Sequence, residues 1–349
     1  MVDRKEAVTL ALVNPDDRAV NPDDPASAPS CPVAPVFGSP IPAPGPHGDD
    51  ARRLAAALGV EAAAILDLAA SMNPFAPSVA SLAASHLDEL TRYPAAGDVR
   101  AATESLAGAM GVDADRLLLT NGGSEAIALV AAELGRGWVD EPDFSLYRRH
   151  LGRLDPAAAR FRSDPHNPTG RLAGPEDCAE VWDEAFYPLA TGRWTRGDAA
   201  QGGSVVVGSL TKLFACPGLR LGYVLAPAGD ADVVGQLEAR QPRWSVNALA
   251  LAVLPDLLAG ADLCGWAASV ARARQDLVGL VRAYGLRPRP SAANFILVDG
   301  AAGLRDRLAI RGVLVRDCAS FDLPDAVRIA VPAPAGLRRL SIALEEVLA

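Results

Sequence analysis

Lys212 stands in an apolar run, VVVGSLTKLFACPGLRLGY (residues 205–223), three positions after Ser209 and eight before Arg220. A lysine stripped of water by its surroundings gives up its proton more readily and becomes an amine nucleophile for a carbonyl. An exposed loop lysine does nothing of the kind, so the neighbouring motifs must decide. Upstream, LLLTNGGSEAIALV (117–130) reads as a strand ending in Thr120, a turn Asn121-Gly122-Gly123, and a helix that Ser124 can cap. The first amides and the dipole of such a helix favour an anion. The spacings G-x-x-x-x-G-K-S/T and G-x-G-x-x-G are absent, which argues against a nucleoside triphosphate or a dinucleotide.

Asn167-Pro168-Thr169-Gly170 holds an amide side chain on a rigid turn. By itself this is an ordinary N-P turn. EVWDEAFYP (180–188) runs a strand into Asp183 and Glu184, which places acids at a strand's carboxyl end. Glu184 reads as a solvated surface residue, whereas Asp183, behind Val181 and Trp182, reads as an acid with a buried partner.

Groups so far apart in sequence need a scaffold that brings strand ends together. Helical period is found in 50–58, 81–90, 99–110, 124–134 and 144–154, and strand character in 65–68, 116–120, 137–139, 180–183, 205–208 and 222–226. Strand, Gly-rich turn, helix is the grammar of a parallel α/β sheet, whose ligands sit at the carboxyl ends of the strands. The last third differs: long helices 246–258 and 262–284, strands 295–298, 313–316 and 327–331, and helices 301–311 and from 335 on. The expected organisation is a Pro/Asp-rich tail over 1–46, with ten prolines, a large domain with its N-terminal segment over 47–245, and connecting helices with a smaller α+β domain over 246–349.

Composition narrows the function classes. A net charge of −9 with scattered arginines argues against a nucleic-acid partner. The five cysteines are widely spaced, with no C-x-x-C pair for zinc or redox work, and no metal site is expected. The apolar runs 7–13 and 248–254 are broken by Asn14-Pro15 and Pro255-Asp256, short of a signal peptide or a membrane span. A reduced cytoplasm is the expected location.

Taken together, the Asn-Gly-Gly turn, N-P-T-G, the strand-end Asp183 and S-L-T-K with its arginine resemble the class I/II aminotransferases, pyridoxal-phosphate enzymes of the aspartate aminotransferase fold (fold type I), over the whole chain after residue 46. Within that superfamily the sequence is similar to the branch holding histidinol-phosphate aminotransferase and threonine-phosphate decarboxylase of cobalamin synthesis. The resemblance implies a large domain with a mostly parallel sheet and pyridoxal 5′-phosphate as cofactor. It implies that Lys212 links to the cofactor and shuttles the Cα proton, and that Asp183 pairs with the pyridine nitrogen. It further implies that Asn167 bonds the ring's O3′ oxygen and that Phe144 stacks on the ring. Gly123, Ser124, Ser209 and Arg220 would hold the phosphate. Tyr93, in TRYP, would reach the phosphate of a neighbouring subunit's cofactor, which implies a homodimer with shared sites. Arg316 and Arg328 match the substrate's anion receptors, and Asn73, in ASMNPF, the pocket-lining segment.

The resemblance leaves the reaction open among three possibilities: decarboxylation of L-threonine O-3-phosphate, transamination of histidinol phosphate or another donor with 2-oxoglutarate, and a cofactor-binding paralogue of little turnover. His47-Gly48, ASMNPFAP, SLTKLFACPGLRLGY and Phe186, at a position where many aminotransferases carry tyrosine, lean toward the decarboxylase. His166 departs from the asparagine often found before the N-P-T-G asparagine. Phe144 and Asn167 are separated by 22 residues and Asp183 follows Asn167 by 16 positions. Both spacings are short for the family, and the expectation is that a strand and a helix of the large domain are shortened or lost.

Overall fold

The computed structural model describes residues 41–45, 50–196, 203–230 and 232–348. The proline-rich stretch 1–46 is described only at 41–45, and His47-Gly48 lies outside the described residues.

From the N-terminal side the elements are α1 (Ala51–Leu58), β1 (Leu66–Leu68), α2 (Val79–Ala84), α3 (Ala96–Met110), β2 (Leu117–Asn121), α4 (Gly122–Leu134), β3 (Arg136–Val139), α5 (Leu146–His150), β4 (Arg153–Leu154), β5 (Arg160–Ser163) and β6 (Val181–Asp183). They continue with α6 (Tyr187–Thr191), β7 (Val205–Ser209), α7 (Leu210–Leu213), β8 (Leu221–Leu225), α8 (Asp232–Arg240), α9 (Ala248–Ala259) and α10 (Leu263–Ala283). The chain ends with β9 (Arg287–Pro288), β10 (Phe295–Asp299), α11 (Leu304–Ala309), β11 (Val313–Asp317), β12 (Ala326–Ala330) and α12 (Pro334–Leu348).

Seven strands form one sheet in the order β2-β8-β7-β6-β5-β3-β4. Its pairs are parallel except those that β8 makes with β2 and β7. The expected mostly parallel α/β sheet is therefore present. Its central strands read as continuous apolar runs because both faces are covered. In β7 the side chains alternate accordingly: Val206 enters the core beneath α3, α9 and α10, and Val207 the core beneath α4. Five strands form the second sheet, β1-β11-β12-β10-β9. β1 comes from the N-terminal segment and pairs in parallel with β11, Leu66 opposite Val313. Helices α10, α11 and α12 cover this sheet through Leu277, Leu308 and Leu340.

Between Phe144 and Asp183 the chain forms α5, of five residues, β4, of two, and β5, of four. α5 stops at His150, where a longer helix to 154 was predicted, so that Leu154 enters β4. The crossover from β5 to its parallel neighbour β6 contains no helix, although such connections usually carry one. The predicted helix 81–90 divides into α2 and a 3₁₀ turn, Leu87–Thr91.

Candidate active site

Register aligns the strand ends that carry the chemistry. Ser163 of β5 lies opposite Asp183 of β6, Asp183 opposite Val207 of β7, and Ser209 opposite Gly222 of β8. Asn121, which ends β2, lies opposite Leu221. The carboxyl ends of β2, β7, β6 and β5 thus form one rim.

At the β2 end of that rim α4 begins without a side-chain cap, since the amide of Asn121 goes to Glu125 Oε2 and Ser124 stands inside the first turn. Three features bring its first amides against Ser209 and Arg220. A Cβ on Gly222 would collide with the carbonyl carbon of Gly122 and the amide of Gly123, so only glycine permits the contact. A Cβ on Gly123 would lie 3.1 Å from Ser209 Cβ. The guanidinium of Arg220, whose φ of 58° is left-handed, occupies the space beside Gly122. Gly123, Ser209 and Arg220 are therefore packed together at the start of α4, whose first turn also carries Ser124.

Lys212 follows on α7, partly buried, its Nζ donating to the carbonyl oxygen of Ala70 at 2.9 Å. Its pKa is lowered to about 8. Desolvation is the main cause, helped by the like charges of Arg328, Arg220 and Arg316, with Asp67 opposing. Asn73 is buried and its amide is engaged with the backbone: Nδ2 donates to Leu213 O at 2.9 Å and Oδ1 accepts from Phe75 N at 3.0 Å.

Arg328 of β12 is buried. Nη1 donates to Asn167 Oδ1 at 2.5 Å and Nη2 to Ala69 O at 3.3 Å, while the guanidinium lies 4.6 Å from the Phe295 ring centroid. Arg316 of β11 is its direct cross-strand partner, donating to Ser320 Oγ at 3.0 Å and Gly45 O at 3.3 Å. Burial, and then the charge of Arg316, push Arg328 down to about 10. Two guanidiniums facing each other are unfavourable unless something anionic joins them. Among the described residues, no carboxylate pairs with Arg328.

Asp183 is buried and accepts from Tyr147 Oη at 2.8 Å and Ala185 N at 2.9 Å, both neutral donors. Burial raises its pKa, and these bonds only partly counter that. Beside it Asp143 is also buried. It takes the amides of Ser163 and Phe144 and the Ser163 hydroxyl, and burial raises it to about 7. Ser163 Oγ in turn accepts from Asn167 N at 2.8 Å. Asp143, Ser163 and Tyr147 thus support Asn167 and Asp183 from below. Asp143 and Tyr147 carry no local sequence signal, because their partners Ser163 and Asp183 lie 20 and 36 residues away. Phe144 packs edge-on against Tyr147, ring centroids 5.8 Å apart.

Glu184, expected at the solvated surface, is instead 1% exposed, because the loop before residue 196 folds over it and Arg196 N donates to Oε1 at 3.1 Å. His166 bonds Thr169 Oγ1 through Nδ1, and burial lowers it to about 4. With Arg162, Arg171 and Arg289 it lines a cavity of about 460 Å³ beside the helix-free crossover. Tyr93 is 74% exposed and stacks on Trp244, centroids 4.6 Å apart. Among the described residues it makes no hydrogen bond to the groups above.

These residues fit pyridoxal 5′-phosphate on two counts. Asp183 is a buried carboxylate whose partners are all neutral, and a protonated pyridine nitrogen is the cation it lacks. At the other end of the rim, the first turn of α4 lies against the Arg220 guanidinium, a pairing of helix N-terminus and cation that suits a phosphate.

Residues 161–344 match the model of the family described as aminotransferase class I and II. A histidinol-phosphate aminotransferase 2 of Pseudomonas fluorescens is 32% identical, over 86% of this chain and 94% of that protein. A threonine-phosphate decarboxylase of Salmonella typhimurium is 30% identical, over 86% of this chain and 96% of its own length. In structure, the histidinol-phosphate aminotransferase of Sinorhizobium meliloti, solved in complex with pyridoxal-5′-phosphate, superposes with a TM-score of 0.75 at 20% identity, over 88% of this chain and 95% of the other. The family-model match and the identity to these relatives show it: the chain belongs to the class I and II aminotransferases.

Proposed function

We propose that the chain is a pyridoxal-phosphate enzyme acting on a phosphorylated amino compound, and that its reaction is decarboxylation of a substrate like L-threonine O-3-phosphate. The observation that carries this is the uncompensated charge of Arg328: buried, opposite Arg316, and answered only by neutral acceptors. Lys212 feels three guanidiniums and a single carboxylate. A pocket so cationic suits a substrate with more than one anionic group. Threonine phosphate carries a phosphate and a carboxylate in one molecule, whereas histidinol phosphate carries only the phosphate; the dicarboxylate 2-oxoglutarate would meet the same cations in the second half of a transamination, so the reaction assay below decides between them.

Pyridoxal 5′-phosphate, when bound, supplies the electron sink that lets a bond at the substrate's Cα break heterolytically. The chain supplies the rest. With the cofactor bound, Asp183 would keep the ring nitrogen protonated, Asn167 would bond O3′, Phe144 would pack on the ring, and Gly123, Ser124, Ser209 and Arg220 would hold the phosphate. Lys212, lowered to about 8, is partly neutral near physiological pH and so can both hold the cofactor and move a proton at Cα. Phe186, buried against Phe295 with ring centroids 5.1 Å apart, has no hydroxyl to offer O3′, which leaves that contact to Asn167. Arg316 and Arg328 would hold the substrate's anions and so set which bond at Cα is placed to break.

Transamination is the second reading, favoured by the 32% identity to a histidinol-phosphate aminotransferase. We also infer a homodimer, in which Tyr93 reaches the partner's cofactor phosphate.

Purified protein incubated with threonine phosphate is scored for CO2 release against amino transfer to 2-oxoglutarate. CO2 release is expected, and clear transamination without CO2 would sink the lead reading. Lys212→Ala is expected to abolish the visible absorption band of the lysine-bound cofactor. Absence of that band from the wild type, with cofactor added, would overturn the assignment of Lys212.

A further inference from the structure

β1 ends at Leu68, and the chain then crosses from the second sheet to α7 through residues 69–73. Asp67, on β1 opposite Leu314, organises that crossing. Its Oδ1 accepts from the amides of Ala69 at 2.8 Å and Ala70 at 3.2 Å, a side-chain turn of the kind aspartate forms with the backbone two residues on. With both amides facing back toward Asp67, the two carbonyls face the pocket: Ala69 O meets Arg328 Nη2 at 3.3 Å and Ala70 O meets Lys212 Nζ at 2.9 Å. Downstream the strap is pinned by other groups. Ser71, at a left-handed φ of 53°, gives its carbonyl to Asn294 Nδ2 at 2.6 Å, and Asn73 N donates to Lys212 O at 2.9 Å.

We propose that Asp67 is a positioning residue for the reaction, folding residues 69 and 70 so that their carbonyls aim the Lys212 amine and the Arg328 guanidinium into the same space. The inference rests on the reading of Lys212 and Arg328 as working groups. Asp67 is also a carboxylate that acts on Lys212, against Arg328 on β12, Arg220 beyond α7 and Arg316 on β11. Its carboxyl is raised by burial and pulled back by the two amides and then by Lys212. Charge and hydrogen-bond geometry thus reside in one side chain and can be separated by substitution.

Asp67→Asn keeps an oxygen for the two amides and loses the charge, whereas Asp67→Ala loses both. Two quantities are read. One is KM for the substrate that turns over. The other, in cofactor-free protein, is the pH midpoint of acylation of the Lys212 amine, followed by mass spectrometry. In Asp67→Asn, KM should stay within about twofold of wild type while the midpoint moves to lower pH, because the ammonium has lost an anion that favours it. In Asp67→Ala, KM should rise about tenfold, the loss expected when a turn that aims a charged hydrogen bond is released. The proposal is overturned if folded Asp67→Ala keeps both wild-type values, or if Asn and Ala raise KM equally. A wild type without the visible band overturns instead the assignment of Lys212 itself, whatever the Asp67 variants do.

Discussion

Arg328 concentrates the electrostatics of the site in one side chain. Its planar fork reaches Asn167 Oδ1 with one nitrogen and Ala69 O with the other while its face rests on Phe295, so charge, orientation and packing are coupled. Arg328→Met keeps apolar contact with Phe295 and removes the rest. KM for the anionic substrate should rise at least about tenfold, since a charge-assisted contact contributes roughly 1.5–3 kcal/mol. The same substitution deletes a like charge beside Lys212, so the midpoint of Lys212 acylation should move up from about 8, opposite to the shift expected for Asp67→Asn. An unmoved or lowered midpoint in folded Arg328→Met would show that the two cations do not share a space. Lys212, Asp183, Asn167 and Arg328 were legible in the sequence because motif and strand-end position mark them. Asp67 and Tyr147 were not, since the hydrogen bonds that give them meaning reach across the chain: Tyr147 meets Asp183, 36 residues away.

Asp183 ends β6 and Glu184 follows it directly, its amide still bonded to Val207 O of β7, so the two side chains diverge. Asp183 faces the site, while Glu184 is buried on the opposite side with its pKa raised by burial to about 8. The folded protein holds the Glu184 proton to about pH 8, whereas the unfolded chain releases it near the ordinary value of about 4.5. Stability contributed by this group is therefore fully present below about pH 4.5 and is lost as pH rises toward 8. Glu184→Gln keeps the oxygen that accepts from Arg196 N and has no proton to lose. It should unfold later than wild type at pH 8, by roughly 1–3 kcal/mol, with little difference at pH 5. Thermal melts at both pH values test this, and an equal pH slope in the two proteins would refute it. Strands β2, β7 and β8 were legible as apolar runs buried on both faces. β5, Arg-Phe-Arg-Ser, was missed because its pattern is polar until the fold supplies the counter-charges: Arg162 pairs with Asp177 at 2.8 Å and Arg160 with Asp140 at 3.3 Å. The helix expected over 144–154 was drawn too long because apolar spacing continues past His150, where tertiary pairing with β3 converts Arg153–Leu154 to strand.

At the scale of the whole molecule, apolar groups on the surface bear on the inferred assembly. Leu87 and Leu90, on the 3₁₀ turn Leu87–Thr91, form a short row at the spacing of that helix, and Tyr93 follows just beyond it. They are 53%, 64% and 74% exposed, and Tyr93 stacks on Trp244, itself 58% exposed and held at a left-handed φ of 58°. A group of four large exposed side chains is costly for a monomer and is the kind of surface a second copy covers. The acidic net charge of −9 opposes indiscriminate association, so a specific contact has to be apolar here. Leu90→Asp puts a charge into that row without touching the rim of the site. Sedimentation should show wild type as a dimer and the variant as a monomer. If Tyr93 serves the partner's cofactor, the monomer should also release pyridoxal phosphate at least about tenfold more readily, one phosphate hydrogen bond being worth on the order of 1.5 kcal/mol or more. A wild type that sediments as a monomer would refute the shared site, and a monomeric Leu90→Asp with unchanged cofactor affinity would remove Tyr93 from it.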